Sequence, residues 1–251
     1  IIERAVAIAG ARIGPVALEA ALFNGDEPTG PGSWPRISRF GDSWSARVTV
    51  FPVDGLELQG SRAVVESPEH RPGSGLDQSK WSASARWERA VAGHPVYGLV
   101  EWERTGEANG FNRFESLLGE AAWRTGRHRI GYRFERTERP EEERTLSRWR
   151  SPRPLLDNSL LGITRWTIHT AGYSVDLASG ESLAELQPFV EVSYGKVREL
   201  RRGGFDPLDF YGQNSFWSVS LGMRLGWGGM FHRMGRYGVV AASEHQMMGR
   251  H

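Results

Sequence analysis

From Phe216 to Trp227 the chain reads Phe-Trp-Ser-Val-Ser-Leu-Gly-Met-Arg-Leu-Gly-Trp. Every second residue from Trp217 is large and apolar: Trp217, Val219, Leu221, Met223, Leu225 and Trp227. Those between them, Phe216 apart, are small or polar. A side-chain period of two predicts a β-strand with one apolar and one polar face. The same alternation recurs at 3–12, 16–24, 43–52, 56–66, 79–90, 96–105, 114–125, 128–137, 159–176 and 182–198, which predicts about eleven strands. The strand at 215–227 is about twice the average length in soluble sheets, and it carries a Trp at each end. Ten steps of about 3.3 Å, tilted by about 40°, rise roughly 25 Å, the height of a lipid-facing band.

The links between these segments alternate in length. Short links fall at Gly14-Pro15, at Val53-Asp54-Gly55, and at 91–95, 125–127 and 178–181. Asp-Gly and Gly-Pro are tight-turn dipeptides. Long links fall at 25–42, 67–78, 106–113, 138–158 and 199–214. A soluble meander has no reason to keep this rhythm, whereas a transmembrane barrel has short turns at one end and long loops at the other. The predicted fold is therefore all-β: an antiparallel up-and-down transmembrane barrel over 1–229, with 230–251 as a tail. Because the first strand runs towards a short turn and such barrels favour even strand numbers, one further strand is expected before Ile1, giving about twelve; the alternative twelfth strand is 236–242, which is short and weakly patterned.

Parity separates the side chains. Outward positions such as Leu18, Val48, Ala83, Val100, Ala121, Tyr132 and Val192 are uncharged. The opposite parity holds Arg47, Glu57, Arg86, Glu101, Glu120, Arg124, Arg129, Arg133, Arg165, Glu191 and Arg224, which are expected to line a lumen. An Arg or Lys on the lipid face costs about 2–4 kcal/mol at midplane and little in a wet lumen. Trp44, Trp81, Trp102 and Trp217 are expected in one interfacial girdle, and Trp87, Trp123 and Trp227 in the other. Glu101, Glu120, Arg133 and Arg165 are expected at one mid-height level on neighbouring strands, with Glu191 near it, which would put a transverse field across a narrow path.

Composition changes little. The 251 residues include ten Trp, 31 Gly and no Cys, and the net charge of +1 creates no bulk attraction to nucleic acid. Mean hydropathy is −0.45, as in many soluble proteins, but in a barrel only alternate residues meet lipid. No stretch of eighteen apolar residues predicts a transmembrane helix.

Motifs for catalysis are absent: the sequence has no His-Glu-x-x-His, no P-loop and no Gly-x-Ser-x-Gly. His169 and Ser174 have opposite parity, so they cannot meet as base and nucleophile. Asp206 and Asp209 read as turn residues in preference to a calcium site, and Glu244, His245 and His251 as a polar tail in preference to a metal site. No cofactor is expected. The stretch 138–158, with Glu141, Glu142 and Glu143 followed by Arg144, Arg148, Arg150 and Arg153, reads as a solvated loop, with an inward constriction or contact with lipopolysaccharide phosphates as alternatives.

Over about residues 3–227 the chain resembles bacterial outer-membrane β-barrel proteins of the porin-like kind. The resemblance rests on the hairpin rhythm, the Trp girdles and the last strand ending Leu225-Gly226-Trp227. It implies a non-enzymatic protein of the Gram-negative outer membrane, in contact with bilayer and lipopolysaccharide. Two functions fit: a narrow, weakly selective passive channel for small polar or charged solutes, or a closed structural or binding barrel whose external loops meet a partner or lipopolysaccharide.

Overall fold

The computed structural model describes residues 5–26, 34–66, 68, 76–107, 112–142, 160–177, 184–201 and 206–227. Among them are eleven strands: β1 (Val6–Ile13), β2 (Val16–Phe23), β3 (Ser43–Val53), β4 (Leu56–Val65), β5 (Gln78–Val91), β6 (His94–Glu107), β7 (Asn112–Thr125), β8 (His128–Glu142), β9 (Leu160–Val175), β10 (Ala184–Arg201) and β11 (Ser215–Trp227). They form one sheet in chain order, and its resolved ladders are antiparallel. A one-turn helix, α1 (Pro207–Tyr211), lies in the link before β11. The expected tail at 230–251 lies outside the described residues.

Local chemistry accounts for the hairpins. Between β5 and β6 both central residues of the turn, Ala92 and Gly93, have positive φ, 52° and 79°. That is the type I′ pattern, whose twist matches the flanking strands. Ala92 is the one described non-glycine residue in this region, a cost of roughly 1–2 kcal/mol that the long ladders must offset.

Chain contacts divide the molecule into two units, Ile1–Glu88 with Gly98–Glu115, and Arg89–Tyr97 with Ser116–His251. In the first, the registers put Ala20, Ala46, Arg62 and Trp81 in one row, and Leu22, Trp44, Val64 and Ser79 in the next. Burial along β5 alternates: Trp81, Ala83, Ala85 and Trp87 are exposed, whereas Ser82, Ser84, Arg86 and Glu88 are half-buried. Burial is thus inverted relative to a soluble protein.

Where β2, β3 and β4 reach their long links, a buried polar knot joins them. The Gly25 amide donates to Asp42 Oδ1 (2.7 Å), as does Ser43 Oγ (2.9 Å), and Ser43 Oγ accepts from the Glu66 amide (3.0 Å). Arg39 Nε donates to Asp42 Oδ2 at 2.6 Å. Asn24, Asp26 and Ser43 are essentially inaccessible. Gly25 is required by close approach, since a Cβ there would lie 2.1 Å from the Glu66 carbonyl oxygen.

The second unit shows the same inversion. Thr170, Ser174, Gln187 and Glu191 are buried, while Ile130, Tyr132, Tyr173, Val192, Val219 and Leu221 are exposed. β8 runs to Glu142, five residues past the expected end at 137, and it passes through Pro140. The added length is held by β9, whose Thr164 and Ile163 pair with Arg139 and Pro140.

Candidate functional site

The polar face of the second unit is an almost continuous charged network. Near the short turns, Arg124 and Arg129 are direct partners on β7 and β8. Both approach Asp176 Oδ2, at 3.1 and 3.6 Å. Asp176 Oδ1 accepts from Gln187 Nε2 (2.5 Å), and Gln187 Oε1 accepts from Arg224 Nη1 (3.0 Å). Arg224 continues to the buried Glu191 at 3.6 Å and stacks over Phe189, 4.4 Å from the ring centroid. Phe189 can lie flat because its partner is Gly222, where a Cβ would come within 2.6 Å of the ring.

At mid-height Arg133 and Glu120 are direct partners. Arg133 contacts Glu135 at 2.6 Å and Glu120 at 3.6 Å, and the Tyr97 hydroxyl donates to Glu120 Oε2 at 3.3 Å. Glu191 lies one pair lower, level with Gly172 and Gly131.

At the long-link end the same face carries an aromatic cluster around Glu141. Its carboxylate accepts from Thr164 Oγ1 (2.5 Å), Trp166 Nε1 (3.3 Å), Arg139 Nε (3.1 Å) and the Tyr211 hydroxyl (2.9 Å). Trp166 stacks with Phe216 at 5.5 Å, meets Tyr211 edge-on at 5.6 Å, and has Arg139 over its ring at 4.4 Å. Tyr211 comes from α1, which Asp206 caps by accepting from the Leu208 amide at 2.8 Å. Burial, and then the bond to Glu141, raise the Tyr211 hydroxyl above the ordinary tyrosine range. Asp206 thus serves as a helix cap, in line with its reading as a turn residue. Within 138–158, residues 138–142 belong to β8 and the remainder lies outside the described residues.

The first unit repeats the pattern more sparsely. Arg47 pairs with Glu19 at 2.8 Å and Arg86 with Glu88 at 2.9 Å, while Glu57 is the register partner of Arg86. Glu101 has the parity of Tyr97, whose hydroxyl reaches the polar face.

One expected member belongs elsewhere. Arg165 pairs in register with Glu138, and five residues separate that level from Arg133. Arg133 opposes Thr170, so Arg165 lies on the other face, with Tyr132, Phe134 and His169. The expected mid-height row including Arg165 is therefore corrected. The cost of a charge on an apolar face falls to about 0–1 kcal/mol near an interface, and Glu138 pairs with the guanidinium. His169 and Ser174 do lie on opposite faces, and His169 Nδ1 is 2.7 Å from the Tyr132 hydroxyl.

On the apolar face Trp44, Trp81, Trp87, Trp102, Trp123 and Trp217 are all exposed. Arg62 lies over the rings of Trp81 (4.8 Å) and Trp44 (5.8 Å), and His94 meets Trp123 edge-on at 5.9 Å. Trp227 is the register partner of Ala184; its side chain lies outside the described residues. Among the described residues no three His, Cys, Asp or Glu side chains gather as a metal site.

No family model matches the chain, and no curated protein does. Among solved structures, the anion-selective porin from Comamonas acidovorans is similar, with a TM-score of 0.51 at 11% identity. The match covers 88% of this chain, which spans 58% of the length of that porin chain. At this identity the likeness concerns fold alone. Together with the unbroken antiparallel strand order it shows that the chain has a porin-like, up-and-down β-barrel fold.

Proposed function

We propose that this protein is a passive channel of the Gram-negative outer membrane: narrow, weakly selective, and open to small polar or charged solutes. The inversion of burial carries this reading. Polar side chains are sheltered on one face while Trp, Leu, Ile and Val are exposed on the other. Water cannot stabilise so large an apolar surface, and lipid can. The polar face, with Arg47, Glu57, Arg86, Glu101, Glu120, Arg124, Arg129, Arg133, Glu191 and Arg224, then lines the path. The printed description of the similar porin makes that protein anion-selective. Here carboxylates match the arginines closely, which argues for weak selectivity in this chain. Tyr211 reaches over the polar face from α1 and would narrow the long-link mouth.

One observation favours a second reading. Arg–carboxylate contacts link neighbouring side chains along the polar face at the short-turn end, at mid-height and at the long-link end. On this second reading such ion pairs fill the interior and the barrel is closed, with its external loops meeting a partner or lipopolysaccharide. Planar-bilayer recording decides between the two. Discrete steps that scale with salt are expected; a correctly folded protein that gives none would replace the channel with the closed barrel.

The membrane orientation has its own test. Single-Trp variants retaining Trp44, Trp81, Trp102 or Trp217 should be quenched by brominated lipid near one interface. Those retaining Trp87, Trp123 or Trp227 should be quenched near the other. Water-like emission from most of them would remove the membrane assignment.

A further inference from the structure

Towards the long links, the apolar face of the second unit ends in a band of cations. Phe134, His169, Tyr194 and Trp217 are register partners in one row across β8, β9, β10 and β11. Their rings are in contact in pairs, Tyr194 with Trp217 at 4.8 Å and Phe134 with His169 at 5.3 Å. The next row on that face is Arg136, Thr167, Lys196 and Ser215, and the one beyond brings Glu138, Arg165 and Arg198. The two rows hold four cations and a single carboxylate. Glu138 is paired with Arg165. Arg136, Lys196 and Arg198 are exposed. Arg165 and Arg198 are direct cross-strand partners, and like charges directly opposite are destabilising unless anions balance them; Glu138 supplies one such charge for the four cations.

Position identifies the anion. One pair along a strand tilted by about 40° advances roughly 5 Å, so the basic rows lie roughly 5 and 10 Å beyond the aromatic row. Aromatic belts mark the edge of the hydrocarbon, and the headgroup layer begins there. We propose that Arg136, Lys196 and Arg198, with Arg165 held by Glu138, form a binding surface for the phosphates of lipopolysaccharide. The surface rests on the membrane-barrel reading, with the long links outside. Guanidinium groups take phosphate through paired N–H donors, and Lys196 adds a point charge. Contact with lipopolysaccharide is thereby assigned to the wall of the fold.

The test uses the full chain in detergent micelles, titrated with bisphosphorylated lipid A, dephosphorylated lipid A and phosphatidylglycerol, with bound lipid read by native mass spectrometry. The parent should favour bisphosphorylated lipid A over the other two. R136Q/K196Q/R198Q should bind it on the order of 100-fold more weakly, as expected for three interfacial cations. Should the triple variant lose its heat-resistant folded form, the single variants K196Q and R198Q carry the test with smaller losses. Unchanged lipid A affinity in a folded variant would overturn the proposal. So would equal affinity of the parent for phosphatidylglycerol, which would mark a general anionic surface. Conductance separates this inference from the channel reading. The three side chains lie on the face away from the path, so parent and variant should conduct alike. A parent that binds lipid A yet conducts nothing would sink the channel alone.

Discussion

Arg133→Glu is expected to shift the reversal potential under a salt gradient towards cation preference, and to lower stability by about 3 kcal/mol. Arg133 stands between Glu120 and Glu135 at 3.6 and 2.6 Å, and the Glu120 side chain is only 7% exposed. Reversal would place three carboxylates together at mid-height with no cation between them. Low-dielectric walls strengthen the effect of fixed charge on passing ions, so the change in preference should be large in dilute salt and shrink as salt screens the field. Restoring the pair with the charges exchanged, Arg133→Glu with Glu120→Arg, should recover part of the stability. An unmoved potential in a variant as heat-resistant as the parent would place Arg133 off the path and outside the pairing network.

Glu141→Ala is expected to release α1 from the polar face. The substitution removes the acceptor for four donors, from Thr164, Trp166, Arg139 and Tyr211. Buried donors left unpaired cost about 1–3 kcal/mol each, although Arg139, itself half-exposed, can turn to water, so a total near 3 kcal/mol is expected. Proteolysis around 206–213 should accelerate, and the open-channel current should rise or become noisier. Tyr211→Phe, which removes one donor, should do the same with about 1 kcal/mol. Because the Tyr211 hydroxyl titrates above its ordinary value, its stabilising bond is complete below the unfolded tyrosine pKa of about 10. It is lost only as pH rises through the higher folded value. Equal proteolysis of parent and Glu141→Ala would show that α1 is held by its aromatic packing alone.

Strand positions were legible because the sheet keeps one apolar and one polar face, which constrains every second residue. The expected 56–66, 114–125 and 215–227 correspond closely to Leu56–Val65, Asn112–Thr125 and Ser215–Trp227. Parity within a strand also sorted Glu120, Arg124, Arg129, Glu191 and Arg224 onto one face, because a misplaced charge at midplane costs several kcal/mol. That reasoning weakened at the strand ends. Arg165 lies where the outward face has left the apolar band, so its charge no longer reports its direction.

Period-two alternation and turn chemistry, both properties of neighbouring residues, were therefore enough to determine an all-β, up-and-down chain with one apolar and one polar face. The tertiary structure decided what depends on register between strands distant in sequence. It set Arg165 beside Glu138 and Arg198, extended β8 through Pro140 against β9, and brought Glu141 to Tyr211 across 70 residues. It also laid Phe189 over Gly222 and closed the knot at Gly25. A slip of one residue in any of these ladders would preserve each strand's own pattern while exchanging its faces, so only the paired sheet could choose among them.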